Sequence, residues 1–110
     1  MKSYLDTSSS VCRLKIDEKE YEWEAGHEMA EGIFRFMREK LKENGGDFKD
    51  ITEIHYFSGP GSFTGLRIGA SIVNALEHEL KVTLFDHRGE QHKIILPEYG
   101  REANVSAPKK

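Results

Sequence analysis

The stretch GPGSFTGLRIG, residues 59–69, places the strongest constraint on how this chain can fold. Its first three residues predict a tight turn, because glycine accepts backbone angles that other residues resist and proline fixes its own. Ser62 then offers a hydroxyl that can accept a free N–H at the start of a helix. We therefore predict a turn from strand to helix here, with a helix at 62–80.

Two glycines inside that helix carry a second constraint. Gly65 and Gly69 lie four residues apart, so they fall on one face of the helix. Each costs about 1 kcal/mol relative to alanine in a helix interior. Something must offset this cost, and the spacing favours close packing of the helix against a strand or another helix.

Both predicted helices carry more apolar surface than one core contact requires. In the second helix the apolar residues are Leu66, Ile68, Ile72, Val73, Ala75 and Leu76. In the first they are Met29, Ala30, Ile33, Phe34, Met37 and Leu41. Surplus apolar surface indicates a protein interface. The alternative, which the sequence leaves open, is that both arcs bury on the chain's own sheet.

Changes in apolar spacing predict the remaining elements. We predict strands at 4–5, 11–16, 20–25, 51–57 and 81–86, helices at 27–43 and 62–80, and leave a sixth strand at 92–96 open. The order β-β-β-α-β-α-β predicts an antiparallel meander followed by two crossovers, hence an α/β fold with a mixed sheet of five to six strands and two main helices.

Length and composition limit the class of protein. At 110 residues the chain forms one domain, and its formal charge of −3 gives no field that favours nucleic acid. Cys12 is the single cysteine, which excludes an internal disulfide framework and suits a reducing compartment. The start lacks the apolar core of a signal peptide, and no apolar run reaches membrane length. We expect a cytoplasmic protein with no membrane contact.

The glycine turn also raises the possibility of an anion site, because N–H groups at a helix start are unpaired. It is not a P-loop, since no Lys-Ser or Lys-Thr follows the last glycine. Cys12 lies in the middle of a strand, and the histidines show no spacing that favours a nucleophile and base pair. We predict no catalytic, cofactor or metal site.

Three segments together resemble the TsaB (YeaZ) family. They are the motif GPGSFTGLRIG with its small-residue helix, the opening YLDTSSSVCRLKI, and the longer run FKDITEIHYFSGPGSFTGLRIGAS. The resemblance extends from about Tyr4 to Asp86. It implies the actin-like, RNase H-like fold of the ASKHA superfamily, here as a single lobe.

The resemblance also implies a function. Family members are non-catalytic partners of TsaD, which transfers a threonylcarbamoyl group to an adenosine next to the tRNA anticodon. TsaE, an ATPase, joins the pair, and tRNA is contacted only indirectly. The TsaB–TsaD contact is a bundle of two helices from each protein, which would use the surplus apolar surface described above.

On this basis we expect a partner interface on the two helices and the glycine turn. Its predicted residues are Met29, Ile33, Phe34, Met37, Pro60, Phe63, Thr64, Gly65, Arg67, Gly69, Ile72 and Leu76. We further expect Gly69→Leu to weaken the complex with TsaD while the fold stays largely intact.

The sequence departs from the family in length, because typical members have a second lobe. Its end, LPEYGREANVSAPKK, resembles the family's carboxy-terminal segment at Pro97, Tyr99 and Arg101. We therefore expect a natural minimal member, with a lobe at 1–96 and a tail at 97–110.

Two family features are weakened in this chain. Asp6 and the following Ser/Thr turn resemble a phosphate-binding hairpin, but one lobe cannot enclose ATP. Glu31 stands where TsaD-like proteins have the second metal-binding histidine after His27.

Two alternatives to the scaffold role stay open: a small nucleotide- or anion-binding module using the Asp6 hairpin and the Ser62 helix start, and a homodimer through the helices.

Overall fold

Three antiparallel strands open the chain, as the alternating pattern predicts. The computed structural model describes residues 1–98, and it places β1 at Lys2–Asp6, β2 at Val11–Ile16 and β3 at Lys19–Glu24. Leu14 pairs with Leu5 on one side and with Tyr21 on the other. The predicted meander is confirmed.

Two crossovers complete the sheet. They consist of α1 at Met29–Glu43, β4 at Glu53–Tyr56, α2 at Phe63–Leu80 and β5 at Thr83–Asp86, and β6 at Gln91–His92 follows β5 in a hairpin. Short 3-10 turns precede α1 and β4, at Gly26–Glu28 and Phe48–Asp50. The strand order is β3-β2-β1-β4-β5-β6, with β4 parallel to β1 and to β5, and β6 antiparallel to β5. The predicted mixed α/β sheet with two helices is confirmed.

Both helices pack on the same face of the sheet and share one core. Leu5, Ile54 and Leu84 point from neighbouring strands into this core and are fully buried. From α1 the buried residues are Met29, Ile33, Phe36, Met37 and Leu41, and from α2 they are Gly65, Leu66, Gly69, Ala70, Val73 and Leu76. Neither helix in residues 1–98 combines the length and apolarity needed to cross a membrane.

The segment after β5 differs from the open sixth strand at 92–96. β6 is confined to Gln91–His92, and the chain then turns so that Ile95 enters the core with 2% of its surface exposed. The Asn74 side chain of α2 replaces a strand partner: its amide donates to the carbonyl of Ile95 at 3.0 Å and its oxygen accepts the N–H of Ile95 at 2.8 Å.

We expect Asn74→Ala to lower the free energy of unfolding by about 2 kcal/mol, because it removes both hydrogen bonds and leaves the buried backbone of Ile95 unpaired. Chemical denaturation of the variant measures this change. Ser71→Ala, at an exposed position of the same helix, is the matched control and should change stability by less than about 0.5 kcal/mol. Equal stability of the two variants would contradict the bracing role of Asn74.

The predicted tail begins as part of the packed structure. The N–H of Glu98 donates to the carbonyl of Ser58, and its carboxylate accepts from Arg88 and from the Ser58 hydroxyl. Residues 99–110, with Tyr99 and Arg101, lie outside the described part of the chain. The division into a lobe at 1–96 and a tail at 97–110 stays a prediction.

Candidate partner interface

The glycine turn connects β4 to α2 as predicted. Gly59 adopts φ = 124°, a conformation that favours glycine, and a Cβ at this residue would also collide with the backbone of Glu98. The hydroxyl of Ser62 accepts the N–H of Gly65 at 3.1 Å, so the predicted helix cap is confirmed.

The small-residue face of α2 packs on the chain's own sheet. Thr7 Oγ1 donates to the carbonyl of Gly65 at 2.7 Å, and Tyr56 donates to the carbonyl of Leu66. A Cβ at Gly65 would overlap the Thr7 carbonyl oxygen, and one at Gly69 would lie 2.6 Å from Cε1 of Tyr56. The predicted close approach is confirmed, and it is made with β1 and β4.

This packing corrects the expected effect of Gly69→Leu. A leucine at this position would have to displace Thr7 and Tyr56 from the core, so the fold would not stay intact. Gly65 and Gly69 are buried and offer no surface to a partner. We therefore remove both glycines from the proposed interface.

Four other predicted interface residues also face the core. They are Met29, Ile33, Met37 and Leu76, none more than 7% exposed. Their apolar arcs fit onto the sheet, which is the alternative that the sequence left open. The sequence prediction is corrected for these four positions, because a partner could reach them only by opening the core.

The remaining predicted residues lie at the surface. Phe63 and Phe34 are 51% and 50% exposed. Aromatic side chains bury large apolar areas when a partner covers them, so both residues are candidates for a contact with another protein. Arg67 lies 5.9 Å from the ring centre of Phe63, and Phe34 stacks on Phe48 at 4.5 Å. We define the exposed helix surface as Phe34, Pro60, Phe63, Thr64 and Arg67. Ile72 is half-buried beside it.

A cleft of about 440 Å³ joins the starts of the two helices. Ala30 lines it from α1, and Thr64 and Ile68 line it from α2. Phe34 lies one turn beyond Ala30 on the same face of α1. Of the exposed helix surface, Thr64 lines the cleft, and Phe34 lies one turn away from it along α1.

Ser62 and Ser8, from the two segments proposed for an anion site, make hydrogen bonds within the chain. The N–H of Ser62 donates to the carbonyl of Ser8 at 2.7 Å. The N–H and hydroxyl of Ser8 both donate to Asp6 Oδ1, at 2.9 and 2.6 Å. These contacts fasten the first hairpin to the helix start.

Two side chains that could act as nucleophiles are shielded from solvent. Burial raises the pKa of the Cys12 thiol to about 12, and its side chain is fully buried. The Ser58 hydroxyl is 3.4 Å from His87 Nδ1 and 3.2 Å from the Glu98 carboxylate, but the residue is only 2% exposed. This cluster joins the turn after β4, the loop after β5 and the end of the described chain.

Known proteins that resemble this chain by sequence and by structure match about three quarters of it. The tRNA threonylcarbamoyladenosine biosynthesis protein TsaB of Buchnera aphidicola is 28% identical over 88 residues, covering 73% of this chain and 38% of that protein. YeaZ from Pseudomonas aeruginosa superposes with a TM-score of 0.68 at 26% identity, covering 77% of this chain and 42% of that one. A second Pseudomonas aeruginosa structure, described as similar to peptidase YeaZ, gives the same TM-score and identity and is covered over 41%.

A family model decides the assignment. The model for TsaD, described as tRNA N6-adenosine threonylcarbamoyltransferase, matches residues 23–86, more than half of the chain. The chain belongs to this family, in its TsaB (YeaZ) branch. The ASKHA-like fold implied by the sequence motifs is thus confirmed for the described part of this TsaB-family chain. The chain spans about two fifths of the length of the relatives it matches.

The match to the TsaD family model covers all of the exposed helix surface and most of the cleft lining. Residues 23–86 run from the end of β3 to the end of β5 and include both helices. The sequence did not predict the hydrogen bonds of Asn74 with Ile95 or of Ser58 with Glu98. Neither residue is among those predicted to contact a partner. A polar residue inside the apolar arc of α2 was the signal for Asn74.

Proposed function

We propose that this chain acts in tRNA threonylcarbamoyladenosine biosynthesis as a non-catalytic subunit that binds and activates TsaD. The observation that carries the proposal is the exposed helix surface, which contains two half-exposed phenylalanines, Phe34 in the second turn of α1 and Phe63 at the first residue of α2. Phenylalanine and arginine are enriched at protein interfaces, and this surface contains both.

Other parts of the proposal follow from the same role. TsaE with ATP would act on the complex, and tRNA would reach this chain only through TsaD. The shielded Cys12 and Ser58 are consistent with a subunit that supplies no reacting group. We place the complex in the cytoplasm, where tRNA modification would take place.

Phe63→Ser should weaken binding to TsaD of the same organism about tenfold or more, because an exposed aromatic anchor loses its buried contact area. Isothermal titration of the two purified proteins measures the affinity. Phe63 is half exposed and is not part of the hydrophobic core, so the variant should keep the thermal midpoint of the parent chain.

Leu80→Ser is the matched control for this experiment. Leu80 is 41% exposed at the opposite end of α2, about 25 Å from Phe63 by helix rise. Its replacement should leave the affinity for TsaD unchanged. If Leu80→Ser weakened binding and Phe63→Ser did not, TsaD would bind at the other end of the helix and the proposed surface would be wrong.

A homodimer through the same surface is the competing use of these residues. It would place Phe63 of one copy against a second copy instead of TsaD. Sedimentation of the chain alone at micromolar concentration distinguishes the two, because our proposal requires the surface to be accessible to TsaD.

A further inference from the structure

The turn between β5 and β6 brings together three side chains with metal-binding atoms. One ligand atom each from Asp86, Glu90 and His92 lies within 4.8 Å of the other two. Although the sequence predicted no metal site, we propose that this hairpin binds a divalent transition-metal ion, with Zn²⁺ the best match to the donor set. This site is separate from the exposed helix surface and does not depend on the proposed function.

The Asp86 carboxylate is held in a fixed orientation. Its side chain is 3% exposed, and its Oδ1 accepts the N–H groups of Arg88 and Glu90, both at 2.9 Å. This leaves Oδ2 directed at His92, whose Nε2 is 2.9 Å away. These two atoms form a hydrogen bond with each other, which a metal ion bound by both of them would replace.

The hairpin backbone fixes the spacing of the other two ligands. The N–H of Asp86 donates to the carbonyl of Glu90 at 2.9 Å, and the N–H of Gly89 donates to the carbonyl of Asp86 at 3.0 Å. His92 follows in β6, opposite Leu84 of β5. The three ligands therefore stand on a hydrogen-bonded turn at the edge of the sheet.

The donor chemistry favours zinc over magnesium or calcium. One imidazole nitrogen and two carboxylate oxygens suit Zn²⁺, whereas magnesium and calcium prefer oxygen atoms only. Zn²⁺ bonds these atoms at about 2.0–2.2 Å, so two ligands of a tetrahedral ion lie about 3.3 Å apart. Glu90 is exposed and can close the remaining distance by rotating its side chain, and water can fill the fourth position.

Arg88 opposes metal binding at this site. Its Nη2 lies 3.9 Å from Asp86 Oδ2, and it is also paired with the carboxylate of Glu98. A divalent ion on Asp86 would repel the guanidinium, which is 54% exposed and can move toward Glu98 or solvent. Because this repulsion would be lost, Arg88→Met should increase the affinity for zinc.

Titration of the full chain with Zn²⁺ at pH 7, by calorimetry, tests the proposal. We expect one zinc per chain, with Glu90→Gln and His92→Ala each weakening it roughly tenfold or more, since even loss of an outer contact to a metal ligand costs about 10–100-fold. Glu90 is exposed, so its variant tests the site even if His92→Ala lowers stability. His78→Ala, at an exposed position near the end of α2, is the control and should bind zinc as the parent does.

Cobalt provides a spectroscopic check on the same variants. Co²⁺ bound by four or five nitrogen and oxygen ligands should give visible absorption that excess Zn²⁺ removes. At the same Co²⁺ concentration, the absorption of Glu90→Gln should be clearly weaker than that of the parent chain. No stoichiometric binding by the parent chain, or equal binding by the parent, Glu90→Gln and His92→Ala, would overturn the proposal.

Discussion

Replacing Gly65 by alanine should lower the free energy of unfolding by about 3 kcal/mol, the upper end of the usual range for an overpacked core. The new Cβ would overlap the carbonyl oxygen of Thr7, which belongs to the backbone after β1 and cannot rotate away. The shift needed would also disturb the hydrogen bond from Thr7 Oγ1 to the Gly65 carbonyl. The better helix propensity of alanine, about 1 kcal/mol, offsets only part of this cost.

Chemical denaturation measures this effect, with Gly32→Ala as the matched control. Gly32 is also inside a helix, but its added Cβ would meet the ring of Trp23, a half-buried side chain that can move. We expect the control to change stability by less than about 1 kcal/mol, because propensity and contact oppose each other. A Gly65→Ala protein as stable as the parent would mean that α2 does not approach β1 as closely as described.

Shortening a core side chain of α1 should have a comparable effect. Met37→Ala should lower the free energy of unfolding by about 2–5 kcal/mol, because Met37 is fully buried and its removal leaves a cavity. The same α1 position was predicted from sequence to contact TsaD. A stability loss of this size would confirm that its role is in the core.

Phe34→Ala is the matched control on the same helix. Phe34 is half exposed and loses only its stacking on Phe48, which predicts a loss of about 1 kcal/mol. Thermal or urea unfolding of the two variants side by side measures the difference. Equal losses would contradict the assignment of Met37 to the core and Phe34 to the surface.

The sequence predicted the elements well because their signals are local. Alternation in VCRLKI, the four-residue repeat from Met29 to Leu41 and the Ser62 cap each depend on residues close in the chain. The family motif then supplied the ASKHA-like fold, which spacing alone did not indicate.

The orientation of the helices was harder to predict, for a physical reason. An apolar arc indicates that one side of a helix is buried, but the same arc fits a sheet of the same chain or a helix of another. Gly65 and Gly69 were correctly predicted to allow close approach, yet the strands that they contact lie far away in sequence. The contacts of Asn74 with Ile95 and of Ser58 with Glu98 form because the chain after β6 packs back against α2 and the glycine turn. Apolar spacing within a short segment cannot predict such a contact.

The central claim is that one lobe of this kind binds TsaD. Mixing the purified chain with TsaD of the same organism, followed by light scattering after size exclusion, tests this claim directly. We predict a single species whose mass equals one copy, or two copies, of each protein. Two separate peaks, with this chain eluting alone or as a homodimer, would contradict the account.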